Sequence, residues 1–282
     1  MIAFSLLADI TTRLATVSET PALDASVLLA HITNKPRTWV LAHPELTLTS
    51  RQQQDLDYAI TRLEASEPLP YVLGRWEFFG LEFDITPQVL IPRPETELLV
   101  ERVLDWLGES PESKQVVDAG TGSGVIAISL TVRLPSIRVL ATDISLEALE
   151  VARSNAFKFD VANRIDFVQC DLLPARAGSD VRSFDLICAN LPYIPTNTLS
   201  NLPIFGREPT VALDGGKDGL NPVRRLLHLG PQWLSEGGMM LLELEATNAI
   251  QGRDLARTLF PNGTIYLHHD LAGHPRLLEI HP

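Results

Sequence analysis

Val116-Val117-Asp118-Ala119-Gly120-Thr121-Gly122-Ser123-Gly124 runs from an apolar stretch into three alternate glycines. Glycine lets a backbone turn sharply and lets a ligand approach it closely. An apolar strand that empties into such a turn, with a helical pattern starting at Val125, is one strand–helix unit. Outward from it the alternation continues. Strands are predicted over residues 115–119, 138–142, 165–170, 184–189, 238–244, 264–267 and 276–280, and helices over 125–133, 146–157, 222–234 and 246–259. Val116-Val117 and Leu186-Ile187 are apolar on both faces, as a sheet covered by helices requires. The fold class is α/β, a doubly wound Rossmann-like sheet of seven strands.

The chain has 282 residues, of which 45% are hydrophobic, enough for a large domain with a smaller partner. Its 35 acidic residues outnumber 23 basic ones, giving a net charge of −12. An acidic surface repels phosphate backbones, so nucleic acid is not expected as substrate. Cys170 and Cys188 form no C-x-x-C pair and read as buried small hydrophobes in a reducing compartment. Met1 to Leu7 is apolar, but Asp9 follows and no basic residue precedes, which is not a leader pattern. The expectation is a cytoplasmic protein with no membrane association.

Glycine is absent before Gly74, although the chain holds 17. Over that stretch apolar residues recur at helical spacing, as in Leu6, Ile10 and Leu14 or Leu56, Ile60 and Leu63. Residues 1–74 are therefore expected as a small all-α bundle. Residues 75–90, with Phe78, Phe79 and Phe83 around Gly80, read as a β-hairpin linker. Residues 91–282 form the α/β domain. In it, Pro94 opens a helix with Glu95 and Glu97 in its first turn.

Asp143 ends the strand after the glycine loop, about 20 residues on, as expected for a carboxylate that accepts ribose hydroxyls. Gly122-x-Gly124-x-x-Ala127 satisfies a dinucleotide fingerprint, but Asp118-x-Gly120-x-Gly122-x-Gly124 fits the S-adenosylmethionine loop of class I methyltransferases better. Gly120, Thr121, Gly122, Ser123, Gly124 and Asp143 are the expected donor contacts. Asp171 and Leu172 close the next strand, where a polar residue can meet an adenine amine beside an apolar neighbour; Asp171 reads equally well as a turn cap.

Asn190-Leu191-Pro192-Tyr193 follows the fourth strand of the sheet domain. Asn190 Oδ1 and the carbonyl of Leu191 can accept the two N–H bonds of a flat amide, with Pro192 fixing the corner. Two carbonyl dipoles also favour the positive charge that moves onto nitrogen during methylation. Tyr193 would stack on the amide plane, and Asn190 borders both donor and acceptor. These four are the candidate catalytic residues, and they bind substrate together with Arg93 and Glu95. Arg93 either steers an anionic group or pins the turn holding Glu95 and Glu97.

Together these motifs resemble the peptide chain release factor N5-glutamine methyltransferase family over nearly the whole chain. The resemblance rests also on Pro70-Tyr71-Val72-Leu73-Gly74, on Leu90-Ile91-Pro92-Arg93-Pro94-Glu95-Thr96-Glu97, on Asp218-Gly219-Leu220, and on Asp270-Leu271-Ala272-Gly273 with Arg276. It implies a five-helix N-terminal domain that docks the release factor. It also implies S-adenosylmethionine as methyl donor and the glutamine of the Gly-Gly-Gln tripeptide as acceptor, in a monomeric enzyme. Ribosomal-protein glutamine methyltransferases share the corner but generally lack the Pro-Glu-Thr-Glu run; adenine-N6 methyltransferases of DNA or RNA share the corner but call for a basic cleft. Three positions depart from the family: Leu191 replaces a proline, Glu245 and Asn248 stand for Gly and Gln, and Leu172 stands where some members place tryptophan.

No metal is expected. His268 and His269 face opposite sides of a strand and cannot share an ion. Glu243 and Glu245 face one side of their strand, and a strand-end structural role is expected for them, since this transfer needs no acid–base pair.

Overall fold

The computed structural model describes residues 3–108, 113–174 and 183–282. The chain divides into two compact units, Met1–Arg75 and Trp76–Pro282. Among the described residues no helix is long and apolar enough to cross a membrane.

The first unit carries α1 (Ala3–Leu14), α2 (Pro21–Thr33), α3 (Arg37–Ala42), α4 (Ser50–Glu64) and α5 (Leu69–Leu73). Leu6, Ile10 and Leu14 of α1 meet Leu28 and Leu29 of α2 and Leu56, Ile60 and Leu63 of α4 in one buried cluster. Helical spacing put these side chains on single faces, and burying those faces together holds the bundle. Local chemistry sets the helix ends. Thr49 and Gln52 form a capping box at the start of α4, and Asn34 closes α2 in the left-handed region at φ 51°.

Strands β1 (Arg75–Phe78) and β2 (Leu81–Asp84) form a hairpin. Its two turn residues, Phe79 and Gly80, both have positive φ, which matches the twist of paired strands. Phe79 is a costly residue there. Its N–H donates to Glu97 Oε1 at 2.8 Å, and the Arg133 guanidinium lies 5.4 Å from its ring centre. The hairpin, expected as a linker, packs from Trp76 onward as part of the second unit: Phe83 meets Phe159 at 5.1 Å, and Asn155 is hydrogen-bonded to both backbone groups of Asp84.

The second unit continues with α6 (Glu97–Leu107), β3 (Gln115–Ala119), α7 (Val125–Arg133), β4 (Arg138–Asp143), α8 (Leu146–Lys158), β5 (Ile165–Gln169) and β6 (Phe184–Ala189). Then come α9 (Thr196–Leu199), α10 (Asn221–Leu229), β7 (Leu234–Glu243), α11 (Ala249–Leu259), β8 (Thr264–His269) and β9 (Pro275–His281). The seven-stranded sheet has the order β5-β4-β3-β6-β7-β9-β8, parallel except at β9, which runs antiparallel to both neighbours. The chain reverses its direction of travel across the sheet between β3 and β6. The carboxyl ends there form the crevice in which open α/β sheets bind ligands.

Three boundaries differ from the sequence expectation by three residues or more. The helix expected to reach residue 234 stops at Leu229, because Pro231 lacks the N–H that would continue it; a single 3₁₀ turn, Gly230–Gln232, follows. The next strand then begins at Leu234 instead of 238, and its register slips opposite Phe184 and Leu186, near Gly237 at φ 74°. The helix expected from residue 246 begins at Ala249, after a turn in which the Asn248 N–H donates to the Glu245 carbonyl at 3.1 Å.

Candidate functional site

The glycine turn is pinned from below. The N–H groups of Gly120 and Thr121 both donate to the Thr142 carbonyl at 2.8 Å, and the Gly122 N–H donates to Asp143 Oδ2 at 2.9 Å. Asp118 is fully buried beneath it. The Thr121 hydroxyl donates to Asp118 Oδ2 at 2.7 Å and the Ala127 N–H does so at 3.2 Å. Burial pushes the Asp118 carboxyl up to about 6, against the pull of those two bonds. Sequence reading quoted Asp118 only as part of the loop; its place as the loop's internal anchor needed the fold.

Asp143 ends β4 with its Oδ1 accepting from the Ser145 N–H at 2.9 Å. Burial raises its carboxyl above the usual range, opposed by the backbone N–H groups of Ser145, Gly122 and Ile144. Thr142 donates its hydroxyl to the Leu172 carbonyl at 2.6 Å, which ties the end of β4 to the turn after β5. Leu172 sits there at φ 65° and Asp171 pairs with Arg225 of α10.

These groups surround a cavity of about 250 Å³ lined by Gly120, Thr121, Gly122, Ser123, Asp143, Asp171 and Leu172, and also by Asn190, Leu191 and Pro192. Gly124 is not on the wall: a Cβ there would come within 2.9 Å of Ile128 Cδ1 and 3.2 Å of Ala152 Cβ, so this glycine lets α7 pack on α8.

A second cavity, of about 390 Å³, is lined by Tyr193, Ile194, Pro195, Leu202, Ile204, Leu213, Glu245 and Thr247. Leu90, Arg93, Asn190 and Ala212 border both cavities. Asn190 thus stands at their junction. Its Nδ2 donates to Thr96 Oγ1 at 2.9 Å, while Oδ1 takes no protein donor among the described residues.

The corner is braced on three sides. Leu191 is 3% exposed, and a Cβ on Gly120 would lie 3.0 Å from its Cδ2, so glycine turn and corner touch directly. Asn248 donates from Nδ2 to the Tyr193 carbonyl at 3.1 Å. Gly219, at φ 75°, lies so flat on the corner that a Cβ would be 2.3 Å from the same carbonyl oxygen. Burial raises the Tyr193 phenol well above its usual value, and Glu243 and Glu245 add to the effect, so the ring stays neutral.

Arg93 is paired with Glu208 at 2.6 Å, and Glu208, 8% exposed, also accepts from the Ile91 N–H at 3.0 Å. That carboxylate neutralises Arg93 and clamps residues 91–93 beside the corner. Spacing offered no signal for it, because Glu208 lies 115 residues from Arg93. Glu95 borders neither cavity; it approaches Arg276 at 4.0 Å, and Arg276 also meets Asp270 at 3.0 Å and Glu245 at 3.2 Å. His268, His281 and Arg102 converge on Glu279. Although burial opposes it, their bonds hold that carboxyl down to about 2. Among the described residues no histidine, cysteine or carboxylate cluster could hold a metal.

Residues 5–74 match the family described as PrmC N-terminal domain, and residues 94–201 match the methyltransferase small domain. The release factor glutamine methyltransferase of Moorella thermoacetica is 42% identical over 259 residues, 92% of this chain and 90% of that protein. The chain belongs to the release factor glutamine methyltransferase family. Its likeness to the Coxiella burnetii member is 40% over 238 residues, 83% of each chain. A solved methyltransferase from Pyrococcus furiosus shares the fold at TM-score 0.52 and 18% identity, over 82% of this chain and 98% of that one. This is a class I methyltransferase fold with a helical N-terminal region, and the Asn190-Leu191-Pro192-Tyr193 corner lies within the matched methyltransferase small domain.

Proposed function

We propose that this protein transfers a methyl group from S-adenosylmethionine to the side-chain amide nitrogen of the glutamine in the Gly-Gly-Gln motif of peptide chain release factors. The observation that carries the reading is Asn190, which faces two cavities at once, one walled by the glycine turn and one by Tyr193. When bound, S-adenosylmethionine supplies a methyl group on positively charged sulfur. The first cavity suits such a ligand: Asp143 and Asp171 border it, Leu172 and Ile144 offer apolar faces, and its two arginines, Arg93 and Arg225, are each matched by a carboxylate. The same pairing disfavours a nucleic-acid substrate, which would need unpaired cations along its backbone.

Asn190 Oδ1 and the Leu191 carbonyl would each accept one N–H of the glutamine amide. They fix its plane and turn its nitrogen toward the donor cavity. As that nitrogen bonds the methyl carbon, positive charge moves onto it, and the two oxygens stabilise it where it develops. The carbon–sulfur bond breaks with its electron pair left on sulfur. The alkylated nitrogen then gives one proton to solvent, so no strong base is required. Tyr193, kept neutral by burial, would pack on the amide plane. Arg93 serves this corner through its clamp with Glu208, and Glu95 through Arg276.

Residues 1–74 would dock the release factor, in keeping with the family match over 5–74. The enzyme would act as a cytoplasmic monomer, which sedimentation of the purified protein tests. The activity itself is tested by incubating the protein with purified release factor and donor and weighing the Gly-Gly-Gln peptide by mass spectrometry. A gain of one methyl is expected, and its absence would sink the reading.

A further inference from the structure

Asn190 is nearly symmetric in shape, so its amide can sit either way round, and only one way presents an acceptor oxygen to the substrate. Thr96, on the segment leading into α6, is 3% exposed and accepts from Asn190 Nδ2 at 2.9 Å. A hydroxyl can donate or accept, so Thr96 alone does not select the orientation. Behind it lies Glu243 at the end of β7, 2% exposed, whose Oε2 has no partner and whose carboxyl the Thr96 hydroxyl pulls down by hydrogen bonding. We propose that Thr96 and Glu243 are positioning residues that hold Asn190 with its Oδ1 toward the substrate amide.

An ionised carboxylate only accepts. It takes the single proton of Thr96, which leaves the Thr96 oxygen with lone pairs alone, and those can face only Nδ2 of Asn190. When Glu243 gains a proton, its own O–H donates to Thr96. The Thr96 proton then swings toward Asn190, favours Oδ1 on that side, and turns Nδ2 into the cavity, where it opposes the N–H groups of the substrate. Burial pushes the Glu243 carboxyl up to about 7, helped by Glu95 and Glu245 and countered by Thr96 and Arg276; Tyr193 faces it as a neutral phenol. The relay therefore switches near neutral pH, and turnover is lost as pH falls through that value. Thr96 and Glu243 come from distant parts of the chain, which the sheet and the first turn of the sheet domain bring behind the corner.

This rests on the proposed glutamine methylation, and the tests separate the two. Thr96→Val keeps the shape and removes the hydroxyl: kcat is expected to fall at least tenfold with donor affinity by calorimetry unchanged, and Thr96→Ser to recover most of it. Glu243→Gln is expected to flatten the acid limb of the kcat–pH profile while the limb stays in wild type. Independently of turnover, the Asn190 side-chain NH₂ resonances, identified by their loss in Asn190→Asp, are expected to shift with pH near 7 in wild type and not in Glu243→Gln. Valine turnover within twofold of wild type overturns the relay, as does an unchanged acid limb in Glu243→Gln or a pH-insensitive Asn190 signal. Inactivity of the wild type toward release factor, with the resonance shift present, overturns the substrate and leaves the relay standing.

Discussion

Replacing Asn155 by alanine tests how the hairpin, α8 and the donor loop are joined. Asn155 is fully buried. Its Oδ1 accepts from the Asp84 N–H at 2.8 Å, and its Nδ2 donates to the Asp84 carbonyl and to the Ser123 carbonyl, each at 3.0 Å. A buried hydrogen bond contributes about 1 kcal/mol net, and an abandoned partner costs at least as much again when water cannot reach it. Loss of the three bonds is therefore worth at least about 3 kcal/mol. For a domain of roughly 150–250 residues, 1 kcal/mol moves Tm by about 2–4 °C, so a drop of roughly 6–12 °C is expected. Thermal unfolding followed by circular dichroism reads it. Because Ser123 lines the donor cavity, calorimetry should also show weaker donor binding. A Tm within about 2 °C of wild type would refute the reasoning, since it would mean water replaces the amide at no cost. Asn155→Asp should be at least as damaging, because it sets a carboxylate against two carbonyl oxygens.

Gly219→Ala places a Cβ about where the Tyr193 carbonyl oxygen sits, at 2.3 Å, and demands positive φ of alanine; kcat should fall more than tenfold with donor affinity by calorimetry retained. Asp118 titrates at about 6 in the folded chain instead of 3.8, so its folded-state pKa is raised. Stability from this group is full below pH 4 and is lost as pH rises through 6; at about 1.4 kcal/mol per unit the loss is about 3 kcal/mol. Urea unfolding of Asp118→Asn should accordingly gain on wild type between pH 4 and 8, and parallel curves would contradict the assignment. Leu191→Pro restores the family's usual ring but removes the side chain that touches Gly120; turnover is expected to persist, and a sharp fall would show that Leu191 suits a different corner geometry.

Much of the sheet domain was legible because its signals are local. Glycines at alternate positions can serve only a turn with left-handed backbone, and an apolar run before them only a covered strand. β3 and β6 fall where the pattern put them, and helix spacing located the buried faces of α1 and α4. The boundaries that moved did so for reasons the pattern cannot carry. Pro231 stopped α10 within an otherwise periodic stretch, and β7 absorbed a register slip that only its pairing with β6 reveals.

The corner itself stood out in the sequence, since Asn, a following carbonyl, Pro and Tyr together suit a flat amide or amine as well as an Asn-led turn. Its support was not. Glu208 against Arg93, Asn248 against the Tyr193 carbonyl, and Thr96 with Glu243 behind Asn190 join residues tens to more than a hundred positions apart. Sequence by itself determined the strand–loop–helix order and marked the glycine turn and the Asn190–Tyr193 corner as candidates, because those depend on neighbours along the chain. Tertiary structure alone decided which loop residues reach the cavity, that Gly124 serves packing instead, and which buried groups set the direction of Asn190. Burial and pairing across the sheet determine those, and neither has a period to read.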